Sequence, residues 1–298
     1  MSTDVVLLTL LVVLPFAGSI VAAFLPTNAR NAEAWLAGGV ALAILAIAAY
    51  FFRPIARGEI PRVEFEWLPQ LGLNFILRLD GFAWSFVGLV SAIGLLVILY
   101  ARYYMSPDDP VPRFFSFLLG FMGAMLGIVV SGNLIQIVFF WELTSLYSFL
   151  LISYWHQNQS ARDGARITLT VTAAGGLCLL AGMMFLGQIA GSYDLDVVLR
   201  SGASVTAHSL YLPTLLLIAA GVLTKSAQFP FHFWLPRAMA APTPVSAYLH
   251  SAAMVKAGVF LLARLWPAMA GHDYWFWVFV PLGAATLLIG ALFALFQQ

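Results

Sequence analysis

Two lysines, a glutamate and two histidines occur where a membrane-crossing chain has least use for them. Lys225 and Lys256 are the only lysines in 298 residues, and both fall inside long apolar runs. Glu142 is the one of thirteen acidic residues in such a run, and His232 and His250 lie at or near membrane depth. A charge near the bilayer centre costs about 2.5–3.5 kcal/mol on insertion scales. Three of them oppose insertion unless they face a protein interior or a hydrated path. Acids, lysines and histidines held in this way are the parts of intramembrane proton relays. Histidine titrates near neutral pH, and desolvation and a nearby carboxylate act in opposite senses on a lysine's charge. A Glu142 that approaches or withdraws would therefore switch Lys225 between charge states.

The spacing supports the relay. Glu142 follows Asn133 by nine residues, about 14 Å of helix, which puts it near the midplane among Thr144, Ser145 and Ser148, whose hydroxyls can bind water or a carboxylate. Lys225 lies in Leu223-Thr224-Lys225-Ser226-Ala227-Gln228-Phe229-Pro230. Pro230 has no N–H, so the carbonyl of Ser226 loses its helical partner and the helix is predicted to break there. Broken helices at membrane depth occur where freed backbone lines a cavity and recur at transporter ion sites. On a regular helix His250 and Lys256 are about 9 Å and about 120° apart, successive stations and not one site. The bland alternatives are an interhelical clamp at Glu142, a Lys225 that snorkels to the interface, and structurally hydrogen-bonded histidines. The two histidines lack zinc spacing.

The elements that position these residues follow from composition. A soluble domain is about one-quarter charged, whereas this chain is 9% charged and 62% hydrophobic, with a mean hydropathy of +0.92. That excludes a soluble enzyme, a disordered tail and a secreted disulfide scaffold. A net charge of +1 excludes the basic face that nucleic acid requires. The single cysteine, Cys178 in Gly175-Gly176-Leu177-Cys178, supports neither a disulfide nor a cysteine metal site. The expectation is an all-α polytopic membrane protein.

Cutting at charges and turn residues yields nine candidate spans, near 5–25, 34–52, 81–101, 114–131, 133–155, 167–191, 209–229, 243–264 and 274–295. As one helix, 114–155 would run about 63 Å, twice the membrane, so Ser131-Gly132-Asn133 is predicted to reverse the chain. The first span has no basic n-region and is too long for an h-region, so it reads as retained. In the 53–80 loop, Val63, Phe65 and Trp67 alternate with Glu64 and Glu66. Phe75, Leu77 and Leu79 alternate after Gly72, predicting a β-hairpin on the membrane surface. The arginines split six and six for an outside N-terminus; without that loop they favour it six to two. Gly123-x-x-x-Gly127 and Gly187-x-x-x-Gly191 allow close helix packing. No phosphate loop, dinucleotide fingerprint, haem motif or nucleophile elbow is present, so no cofactor is expected.

At Phe140-Trp141-Glu142-Leu143-Thr144-Ser145, and from Lys225-Ser226-Ala227-Gln228 through Trp234-Leu235-Pro236 and Pro242-Thr243-Pro244 to His250-Ser251-Ala252-Ala253-Met254-Val255-Lys256-Ala257-Gly258, the chain resembles a known family. These are the large antiporter-like subunits shared by Mrp-type cation/proton antiporters and respiratory complex I. His232 before Trp234, Tyr248, and Lys256 after Met254-Val255 resemble the MrpA type of chain more than its complex I counterpart. The resemblance implies inverted five-helix repeats, each with a broken helix. It divides the chain into helices one to three with the hairpin (1–113), a first repeat of helices four to eight (114–264), and the start of a second repeat (265–298).

It further implies an outside N-terminus in a bacterial cytoplasmic membrane, a Glu142–Lys225 coupling pair, and a lateral axis through His232, His250 and Lys256. The implied partners are the other antiporter subunits, the bilayer, H⁺, and Na⁺ or K⁺; the implied role is secondary transport, not enzyme catalysis. The chain departs from the family by stopping at Phe293-Ala294-Leu295-Phe296-Gln297-Gln298. The second repeat is then expected from the remainder of a longer product or from another polypeptide, since one half-channel does not complete a path. Rival readings are a proton-pumping subunit of a complex I-like oxidoreductase or membrane hydrogenase, and a scaffold with silent charges.

Overall fold

The computed structural model describes residues 3–26, 30–106 and 109–296. Two helices, α1 (Thr3–Ala23) and α2 (Arg30–Ala56), lead into a hairpin of β1 (Arg62–Leu68) and β2 (Leu73–Arg78). Four long helices follow: α3 (Gly81–Tyr104), α4 (Val111–Val130), α5 (Leu134–Ile152) and α6 (Gln159–Ala190). Beyond them come the short α7 (Leu195–Arg200) and α8 (Gly202–Ala207), then α9 (Tyr211–Lys225), α10 (Trp234–Ala238) and α11 (Thr243–Ser246). A π-helical stretch (Ala247–Ala252) joins α11 to α12 (Met254–Met269), and α13 (Asp273–Phe296) closes the described chain.

Among the described residues, eight helical segments are long and apolar enough to cross a membrane, and α9 is a shorter apolar helix. Each expected span has its counterpart. The bounds differ most where charges had been taken as ends. Asn158, whose Oδ1 accepts from Ser160 N at 3.0 Å, caps α6 well before the expected start at 167. A helix continues through Arg162 and Arg166 because backbone hydrogen bonding is indifferent to a charge that reaches water. The ninth expected span, 274–295, lies within α13.

The core centres on α4, buried on nearly every side. Its glycines accept aromatic rings: Phe16 of α1 lies 3.0 Å from where a Gly123 Cβ would stand, and Phe140 of α5 fills the space beside Gly127. Gly187 takes the ring of Tyr193, and Gly191, at φ 72°, caps α6. The second glycine pair thus serves local packing and helix termination, not the helix–helix approach expected of it.

Residues 131–133 reverse the chain between α4 and α5, as read from the sequence. The hairpin pairs Val63 with Leu77 and Phe65 with Phe75, and an irregularity before Leu68 shifts the register. Its root is buried at Val63, Ile76 and Leu77, while Trp67 at the tip is 70% exposed. The root is stitched to the reversal: Gly132 N donates to Ile76 O at 2.8 Å, and Gly132 O accepts from Leu195 N at 2.9 Å.

Ion pairs complete this end of the bundle. Arg62 reaches Glu64 (3.0 Å), Asp194 (2.5 Å) and Asp196 (2.8 Å), and Arg78 joins Asp80 and Asp196. Asp80 caps α3 by accepting from Ala83 N at 2.8 Å and receives both guanidinium nitrogens of Arg264 from α12. Burial pushes the Asp80 carboxyl up, but the hydrogen bonds and charge of Arg264 outweigh it and hold the group down at about 2.

Candidate functional site

Lys225 is the last residue of α9 and is 0% exposed. Its Nζ donates to the backbone carbonyl of Trp141 (3.0 Å) and to Ser145 Oγ (2.7 Å), and lies 5.3 Å from the centroid of the Trp141 ring. A buried ammonium is thus held by neutral oxygens and one aromatic face, all from α5.

The helix stops here because the chain cannot continue through Pro230. Side chains meet the carbonyls that the break frees: Gln228 Nε2 donates to Ser226 O at 3.1 Å, and Trp234 Nε1 to Thr224 O at 2.8 Å. Ala227 takes a left-handed φ of 49° within the turn, a conformation unusual for a residue with a Cβ. The break is tied outward as well, Ser226 Oγ donating to Val255 O (2.8 Å) and Phe229 N to Thr286 Oγ1 (2.9 Å).

Glu142 is half-buried on α5, and its Oε1 is buried with no hydrogen-bond partner among the described residues. No ion pair within 4.0 Å joins it to Lys225 among the described residues. The hydroxyls expected to serve the carboxylate are used otherwise. Thr144 and Ser148 donate to carbonyls of their own helix, at 2.7 and 2.8 Å, and Ser145 turns to Lys225.

Opposite lies a feature that sequence reading missed. A Cβ on Gly176 of α6 would collide with Glu142 Oε1, and one on Gly175 with Thr224 Oγ1. The adjacent glycines form a notch that admits the carboxyl and the lysine-bearing helix side by side. Their adjacency within a spanning helix was the available signal.

The remaining candidates are dispersed. His232 follows the break in a 3₁₀ turn (Phe231–Phe233), its ring 6.0 Å from Phe229 and 6.1 Å from Phe293, with Nδ1 buried and unpartnered among the described residues. His250 sits in the π-helical stretch, 6.0 Å from the Trp234 ring, and neither buried ring nitrogen has a partner among the described residues. Lys256 is exposed on α12, against the expectation of an interior-facing charge. The regular-helix angle between His250 and Lys256 does not hold, because the π turn intervenes. Among the described residues no group of three or more His, Cys, Asp or Glu could hold a metal ion.

A bundle of spanning helices with one helix broken at a buried lysine, facing a glutamate on its neighbour, defines a class of membrane protein with a discontinuous helix at its polar centre. Residues 131–298 match the family model described as "NADH:quinone oxidoreductase/Mrp antiporter, TM", and residues 67–115 match "NADH-Ubiquinone oxidoreductase (complex I), chain 5 N-terminus". The chain belongs to the NADH:quinone oxidoreductase/Mrp antiporter family.

It is 59% identical over 292 residues to the A/B subunit of the "Probable K(+)/H(+) antiporter" of Rhizobium meliloti, covering 98% of this chain and 29% of that protein. It is 43% identical to the A-type subunit of the Na(+)/H(+) antiporter of Alkalihalophilus pseudofirmus, covering 95% of this chain and 36% of that protein. A solved Mrp complex from Dietzia sp. DQ12-45-1b holds a chain superposing with a TM-score of 0.86 at 34% identity, over 96% of this chain and 31% of that one. The chain thus spans about a third of the length of these relatives.

Proposed function

We propose that this chain carries the proton-translocating axis of one component of a multisubunit Mrp-type antiporter, exchanging Na⁺ or K⁺ for H⁺ across a bacterial cytoplasmic membrane. The observation that carries the reading is Lys225: a fully buried amine on neutral acceptors, beside a carboxyl with an unpartnered oxygen. Such a pair can change protonation without breaking a salt bridge. Glu142 sets the charge of Lys225 by distance, Lys225 takes and releases the proton, and His232, His250 and Lys256 pass it laterally. Residues 114–264 form one repeat, 1–113 precede it, 265–298 open the next, and the N-terminus faces outward. The relatives' names support both cations, K⁺ in one and Na⁺ in the other.

The test uses everted vesicles carrying the complete complex with this component at full length. Respiration sets an acid interior, NaCl or KCl is added, and collapse of the gradient is recorded. Collapse in the wild type, lost in an equally assembled Lys225→Ala complex, is the expected result. Absence of any cation-dependent collapse in the wild type overturns antiport in favour of a redox-driven pump. Collapse unchanged in the variant removes Lys225 from the path.

A further inference from the structure

The break that follows Lys225 leaves backbone groups that a continuous helix would pair. Four amides around it find carbonyls of the same segment: Ser226 N on Val222 O (2.9 Å), Ala227 N on Thr224 O (3.4 Å), Gln228 N on Leu223 O (2.9 Å) and Phe231 N on Gln228 O (2.7 Å). Pro230 has no N–H to place. Phe229 differs, because its N–H is met from another element: it donates to Thr286 Oγ1 of α13 at 2.9 Å. The hydroxyl's own proton goes to Leu282 O at 2.8 Å, one turn back along α13, so toward the break Thr286 is an acceptor only. Phe293, two turns beyond Thr286 and on the same helix face, brings its ring to 6.1 Å from that of His232. Apart from Trp275, α13 has no buried residue among those described. Thr286 and Phe293 thus touch the stretch Phe229–His232, which joins the lysine-bearing helix to the first histidine.

We propose that Thr286 is a positioning residue of the relay: its hydroxyl pins Phe229 and so sets where the break leaves Lys225 and His232 relative to one another. The inference rests on the reading of Lys225 as the amine that takes and releases the proton. The other end of the break is held by α12, through Ser226 Oγ on Val255 O at 2.8 Å. Between these two anchors Ala227 is kept at φ 49°, a left-handed conformation that a residue with a Cβ holds only where its surroundings impose it. A hydroxyl suits the task because it satisfies the stranded amide without adding a further charge at membrane depth. Since α13 supplies this acceptor, its position relative to α9 enters the geometry of the lysine-bearing break directly.

The test uses the complete complex, with this component at full length, carrying Thr286→Val, which keeps the shape and removes the acceptor, or Thr286→Ser, which keeps the acceptor. Hydrogen exchange is followed on overlapping peptides covering residues 226–233, and cation-dependent gradient collapse is recorded as a function of pH. In Thr286→Val, exchange at the Phe229 amide is expected to rise by about fivefold, the worth of one neutral hydrogen bond. The pH profile of collapse should be displaced as Lys225, Glu142 and His232 change their spacing, and Thr286→Ser should restore both readouts. Exchange and profile unchanged in Thr286→Val overturn the proposal. So does a serine variant that behaves like the valine one, which assigns the effect to packing, and so does a valine variant whose rate falls equally at every pH, which reports lost complex. A wild type without cation-dependent collapse strikes the antiport reading instead, and exchange at Phe229 in the two variants still decides whether Thr286 holds the break.

Discussion

The two halves of α12 border charges handled in opposite ways. Toward its C-terminal half, Arg264 belongs to a set in which every charged group has a counter-ion: Arg62 with Glu64, Asp194 and Asp196, Arg78 with Asp80 and Asp196, and Arg264 itself with Asp80. Near its N-terminal half, Lys225 rests on a carbonyl and a hydroxyl, and Glu142 Oε1 and both nitrogens of His250 are unpartnered among the described residues. Opposite charges in contact hold one another in a single state. Groups kept apart in a low-dielectric interior can change state, because a proton can move without dismantling a pair. The first region fixes geometry; the second is where the proposed relay would move its proton.

The sharpest way to break that contrast is to exchange each buried cation for methionine. Lys225→Met should reduce cation-dependent gradient collapse to the level of vesicles lacking the complex, while thermal unfolding of the assembled complex is little changed, since Lys225 rests on neutral acceptors and its removal strands no ion-paired partner. Arg264→Met should do the reverse. Asp80 keeps Arg78 and the Ala83 amide, so losing the charge-assisted contact with Arg264 should cost about 1.5–3 kcal/mol, read as a lower unfolding midpoint, with residual transport in whatever complex survives. If the lysine variant proves the less stable of the two, the distinction fails.

Gly176→Ala probes the notch. The new Cβ meets Glu142 Oε1, and overpacking of this kind costs about 1–3 kcal/mol. The expected result is a modest loss of stability with a displaced pH profile of transport, since the carboxyl must move relative to Lys225. Asp80→Asn sharpens the other side. The carboxyl at about 2 is depressed from about 3.9 in an unfolded chain, so its contribution is complete above about pH 4 and is lost on acidification toward about 2. Unfolding midpoints of wild type and Asp80→Asn should therefore differ at neutral pH and converge as pH falls through that window. Lys256→Ala is expected to be the mildest: an exposed side chain with no ion pair among the described residues should change stability by no more than about 0.5 kcal/mol.

What the sequence conveys and what it withholds divide along range. The spans, the reversal at Ser131-Gly132-Asn133, the hairpin around Gly72 and the break before Pro230 are local consequences of apolar length, turn chemistry and a missing N–H, and they were legible. The π turn was not, because Ala247–Ala252 contains neither glycine nor proline to announce it; its wide hydrogen bond, Ala253 N to Tyr248 O at 3.0 Å, appears only in the folded backbone. Nor was the Asp80–Arg264 pair, whose members are 184 residues apart in the chain. Of the site, the residue types were visible but their partners were not. Ser145 read as a companion of Glu142 on the same helix, and only packing of α9 against α5 gives it to Lys225.

One of the two oxygens that hold Lys225 is the main-chain carbonyl of Trp141. A carbonyl is encoded by every codon, so substitution at position 141 alters the ring above the lysine and leaves that acceptor in place. A genetic screen that scores position 141 by side-chain replacement will therefore register only the aromatic share of its role. The part that positions the amine is hidden from mutational scanning and becomes visible only by replacing the amide itself, for example with a backbone ester at the bond between Trp141 and Glu142.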